Sequence, residues 1–146
     1  MPSPFRLHQH KLKKEHLKAF DWWVRKWMEY YALHLRWETH VLWTTQEDDD
    51  TSKWATVTYS DGSCIACFQL SRHPKTAARK LTDAMMAEIA LHEVAHVLLA
   101  PLSLVAEENQ RKSDNINGVE HHIVHTLVRL GMRAAFDDFA ESCPHL

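Results

Sequence analysis

Between Lys11 and Leu33 the apolar residues Leu12, Leu17, Phe20, Trp23, Val24, Trp27 and Tyr31 recur at helical spacing with charged residues between them. That period places them on one face, so the pattern predicts a long amphipathic helix that turns its aromatic rings inward. From Leu35 to Thr45 and from Trp54 to Ser60 the chain becomes β-branched and aromatic. Two antiparallel strands are expected there, separated by the acidic stretch Glu47 to Lys53. Asp61-Gly62 marks a tight turn into a third strand from Cys64 to Ser71, which completes a three-stranded antiparallel meander. A basic connector, Arg72 to Lys80, leads to Thr82-Asp83, an N-cap and first-turn acid for a helix through Leu99 that Pro101 is expected to stop. Apolar residues cover every side of that helix, as in a buried one. Ser113-Asp114-Asn115 opens a further helix to about Leu130, Gly131 ends or bends it, and a short helix around Ala134 to Phe139 finishes the chain. The expectation is one α+β domain over residues 1–146.

Composition supports this picture and narrows the function. At 146 residues the chain has room for one core, and 3 Gly with 5 Pro are too few for an all-β protein with many turns. Lys and Arg number 17 against 19 Asp and Glu, a net charge of −2 that argues against a dedicated nucleic-acid binder. The first 80 residues hold 13 basic and 9 acidic side chains (+4) and the remainder 4 and 10 (−6), which reads as a solvated basic face. Cys64, Cys67 and Cys143 are an odd set with no secretory leader ahead of them, so free thiols in a reducing compartment are expected. No unbroken apolar run of roughly 18 residues occurs, so neither membrane span nor membrane partner is expected, and the predicted location is the cytoplasm. Oligomeric state is not legible.

Twelve histidines draw attention to metal chemistry. The buried helix contains His92-Glu93-Val94-Ala95-His96. Helical residues four apart lie about 40° apart around the axis, so both imidazoles can reach one ion. Glu93 projects to the side, where it can accept a proton from water activated by the ion and pass it to a leaving amine. Two His and a Glu in an otherwise apolar helix carry a heavy desolvation cost, and a metal is their simplest common partner. Zinc, one per chain, is the expected cofactor, with a third ligand supplied from elsewhere.

On the next helix Glu120 lies in the middle of the stripe Ile116, Ile123, Val124, Leu127 and Leu130, with His121 at its edge and His122 and His125 pointing away. Glu120 is therefore the expected third ligand and His121 the alternative, while a helix capped at Asn117 would instead turn Glu120 into a capping-box residue. Cys64-Ile-Ala-Cys67 is discounted as a metal knuckle, because strand alternation sends the two thiols to opposite faces. The Asp48–Asp50 run lacks the alternate spacing and closing Glu of a calcium loop. The six Trp are expected in the core and over the sheet.

The order of long helix, β-meander, His92-Glu-Val-Ala-His96 helix with its Leu98-Leu99-Ala-Pro101 sequel, and Glu-bearing helix resembles the zincin metallopeptidases of gluzincin type. The likeness is to their smallest members, the minigluzincins, and to small SprT-like and phage-encoded metallopeptidases. It implies that His92 and His96 are zinc ligands, Glu93 the general base, Glu120 the third ligand, and the third strand the edge along which an extended peptide or protein substrate pairs. The chain departs from the larger gluzincins in carrying Val124 where they often place an Asp, and from SprT-like proteins in having no Cys-rich tail. No Tyr or His matches the oxyanion-stabilising role, for which His121 and His125 are candidates. The expected function is a zinc-dependent peptidase. A zinc-stabilised binding or structural protein of a virion or regulatory complex is the alternative, which the intact Glu93 disfavours. Peptide deformylase shares the His-Glu-x-x-His pattern, but its Glu-Gly-Cys-Leu-Ser segment is absent.

Overall fold

The computed structural model describes residues 6–45, 52–108 and 114–146. Helix α1 spans Lys14–Tyr30, and its inward stripe, Phe20, Trp23, Val24 and Trp27, is fully buried. It ends with Ala32 in the left-handed region at φ 57°, followed by a 3-10 turn at Leu33–Leu35. Strands β2 (Glu38–Trp43), β3 (Ala55–Ser60) and β4 (Ile65–Leu70) form one sheet. A two-residue strand β1 (His8–Gln9) pairs antiparallel with β5 (Lys75–Thr76). Helices α2 (Asp83–Glu108) and α3 (Asp114–Ala140) complete the α+β fold.

The sheet is not a meander. Its order is β2-β4-β3, with β2 parallel to β4 and β3 antiparallel to it. The expected hairpin joins β3 to β4, but β4 takes the centre because it is the most apolar strand, with Ala66, Phe68 and Leu70 fully buried. Alternation of side chains assigns faces and not neighbours, and the long connection from β2 lets β3 swing past to the far edge. In the β3–β4 turn the left-handed residue is Cys64 (φ 53°), while Gly62 takes an ordinary negative φ. All three cysteines are free thiols.

Two helix ends also differ from expectation. Thr82 caps α2 as its sequence suggests, its Oγ1 accepting the Met85 N–H at 3.2 Å. Pro101, however, lies inside α2 and does not stop it. Its ring is exposed and removes one backbone donor, while Leu99 and Ala100 just before it are buried, so packing offsets a local cost of about 3 kcal/mol. Gly131 does not end α3, which continues to Ala140. A Cβ there would stand 2.8 Å from Leu91 Cδ2 and 3.0 Å from Tyr31 Oη, so any larger residue would force the ends of these side chains to move. The residues expected as a separate terminal helix are the last turns of α3, where Phe136 stacks on Trp23 and Phe139 meets Trp27 edge-on. The acidic run 47–51 and Ser113 lie outside the described residues.

α2 is the hub, packed on α1, α3 and β3. By length and apolarity Asp83–Ala106 is the one helix among the described residues that could cross a membrane, although Glu88, His92, Glu93 and His96 interrupt its apolar run. Its residues Met86, Leu91, Val94 and Val97 are fully buried in the core, but Leu102 and Val105 are exposed, so the helix is not buried on every side along its length as its apolar pattern predicts.

Candidate metal centre

His92 and His96 emerge from α2 one turn apart into a cavity of about 700 Å³ between α2, α3 and the edge strand β3. Their Nε2 atoms are 3.3 Å apart. Adjacent nitrogens on a tetrahedral zinc with bonds of about 2.0–2.1 Å are separated by about 3.3 Å, so this pair already has the spacing of two ligands. A nitrogen of His121 on α3 joins them, the three ligand atoms all lying within 4.8 Å of one another. Burial, and after it the charges of His96, His125 and His121, push the His92 imidazolium down to about 4. At neutral pH His92 is therefore an uncharged ring with a lone pair to offer, the form a metal requires. The residues present could hold a metal ion.

Glu120 is brought to the same site by a different contact. Its Oε1 lies 2.9 Å from Nδ1 of His96, the nitrogen opposite the one that faces His92. A carboxylate on the outer nitrogen fixes the tautomer and the ring orientation, leaving Nε2 free to coordinate. The capping alternative for Glu120 does not apply, since α3 begins at Asp114, ahead of Asn117. Glu120 and His96 are each 17% exposed at the side chain, whereas His121 lies nearer the cavity mouth.

Glu93 is the only buried carboxylate among the described residues, 8% exposed on the cavity wall. Desolvation raises it to about 8, against a weaker downward pull from Lys53. Such a group holds a proton near neutrality and can both give and take one, as general acid–base work requires. His125, expected to point away, also lines the cavity, with its ring 5.5 Å from that of His92, whereas His122 is exposed and contributes nothing to the wall.

One contributor escaped sequence reasoning, and another was legible only as an alternative. β3 and the residues just before it, including Lys53 and Tyr59, form one wall of the cavity, although nothing in their alternation distinguishes them from other strand residues. Among the described residues the edge strand beside the histidines is thus β3, where the resemblance assigned that place to the third strand, which lies at the sheet's centre. His121 was legible only as a stripe-edge residue, and the rotation of α3 against α2 decides that it turns toward His92 and His96. No protein-family model, no curated protein and no solved structure matches this chain.

Proposed function

We propose that the protein is a zinc-dependent peptidase of the cytoplasm, acting on peptide bonds in extended segments. The reading is carried by one observation: two imidazole Nε2 atoms 3.3 Å apart open into a 700 Å³ cavity that also exposes the edge of a buried carboxylate, Glu93. His92, His96 and His121 would hold the ion, and Glu120 would hold His96. A zinc ion bound there supplies Lewis acidity, polarising a carbonyl and bringing the pKa of water toward about 7. The charge of that ion would favour the ionised form of Glu93, which could then take the proton from the attacking water and return it to the departing amine. Among the described residues β3 is paired with β4 alone, and its outer edge would align an extended peptide across the cavity by main-chain hydrogen bonds.

The test combines metal analysis with turnover on an unfolded protein substrate. His92→Ala and His96→Ala should lose zinc at this site and all hydrolysis. Glu93→Gln should keep the zinc and lose about 10²–10⁴-fold in turnover, because it removes the proton acceptor and no ligand. Chelator competition assigns the third ligand: His121→Ala should release zinc, while Glu120→Ala should weaken it about 10–100-fold as an orienting partner does. The reverse ranking would make Glu120 the ligand. Zinc retained with no cleavage across a broad peptide library would overturn the enzyme reading in favour of a zinc-stabilised binding protein.

A further inference from the structure

At the opposite end of α2 from Pro101, a second group of ligand-bearing side chains converges. Asp83, in the first turn, places Oδ2 2.8 Å from Nδ1 of His145. The Sγ of the buried Cys143 lies 3.5 Å from that same nitrogen. All three ligand atoms fall within 4.8 Å of one another. We propose that Asp83, Cys143 and His145 form a second metal site, for a thiophilic divalent cation of the zinc class, which clasps the end of α3 and the chain beyond it to the start of α2.

Three physical arguments lead there. An imidazole nitrogen carries at most one proton. If Nδ1 is protonated it donates well to Asp83 and leaves the thiol a poor partner, and if it is bare it accepts from the thiol and repels the carboxylate. One cation satisfies all three atoms together. The sulfur–nitrogen distance agrees, since zinc with bonds of about 2.3 Å to sulfur and 2.0–2.1 Å to nitrogen sets those atoms about 3.5 Å apart, while the Asp83–His145 contact, at hydrogen-bond length, would open to about 3.3 Å around an ion. The carboxylate is also prepared for single-oxygen coordination, because its other oxygen, Oδ1, already accepts the Leu146 N–H at 2.8 Å. A helix N-terminus by itself disfavours a cation. Here the charges of Asp83 and a Cys143 thiolate balance those of a divalent ion, the thiol proton passing to solvent on binding.

The two sites are separable because only this one contains sulfur. The protein stripped of metal and loaded with Co²⁺ should show a near-ultraviolet thiolate-to-cobalt charge-transfer band. That band should survive in the His92→Ala/His96→Ala double variant and vanish in Cys143→Ser. His145→Gln, an exposed position that leaves the core untouched, should abolish it as well, and zinc content should fall by one ion per chain relative to wild type in each. Absence of the band from folded wild type, or its persistence in His145→Gln or Cys143→Ser, overturns the site and leaves a hydrogen-bonded clasp. Neither result depends on whether the His92 centre hydrolyses peptides.

Discussion

Where α2 meets α1, Phe20, Trp23 and Trp27 are fully buried, and the Trp27 indole N–H donates to the Ala87 carbonyl at 3.0 Å. Part-way around the same helix, His92 and His96 stand half-buried beside a cavity of about 700 Å³ with a buried acid next to them. The first side is close-packed apolar surface, which stabilises in proportion to the area removed from water. The second holds groups that would be better solvated outside the fold. The contrast teaches that α2 can present a costly polar face because its other sides are anchored by rings that have nowhere else to go.

The strongest way to break the comparison is to empty the aromatic side. Trp27→Ala should cost about 4 kcal/mol through the cavity it leaves, a large part of the roughly 5–15 kcal/mol that holds a typical domain. A urea titration measures it, and a loss under 1 kcal/mol would mean that α1 does not anchor α2.

The polar side should respond in the opposite direction. Glu93 has its pKa raised from 4.5 to about 8 by burial, so the folded state binds its proton more tightly than the unfolded chain. Stability from that proton is complete below about 4.5 and is lost as pH rises toward about 8. In metal-free protein Glu93→Gln removes the penalty and should stabilise by about 3 kcal/mol at pH 7, with the gain fading near pH 4. Melting curves in chelator at the two pH values check this. Equal curves for both proteins at neutral pH would show that Glu93 carries no burial cost.

Smaller effects sharpen the boundary between the two sides. Gly131→Ala should cost about 1 kcal/mol net, because the crowding of Leu91 and Tyr31 outweighs the gain in helix propensity. It should also weaken zinc binding slightly, since Leu91 adjoins His92. A stability gain would show that α3 can recede from α2 at no cost. Ala32→Gly, exposed at φ 57°, should add about 1 kcal/mol by relieving left-handed strain and leave metal affinity unchanged. Destabilisation there would contradict the turn that ends α1.

Much of this molecule is written locally. The stripe from Leu12 to Tyr31 describes α1 because a period near 3.6 has one geometric solution, and Thr82 announces the start of α2 because its hydroxyl accepts the orphan N–H of Met85. His92, Glu93 and His96 were legible for the same reason: their spacing within one helix already sets their relative directions. Relations between elements were not legible. The order β2-β4-β3, the continuation of α2 through Pro101 and of α3 through Gly131, and the arrival of His121 at the His92 pair all depend on packing against residues far away in the chain. Cys143 and His145 show the limit most clearly, since their partner Asp83 lies about sixty residues earlier and no local pattern joins them. Short-range geometry follows from backbone stereochemistry and can be read from sequence, whereas a proline tolerated, a glycine crowded by its neighbours or a carboxylate turned to one nitrogen of a ring is decided by which surfaces exclude water together.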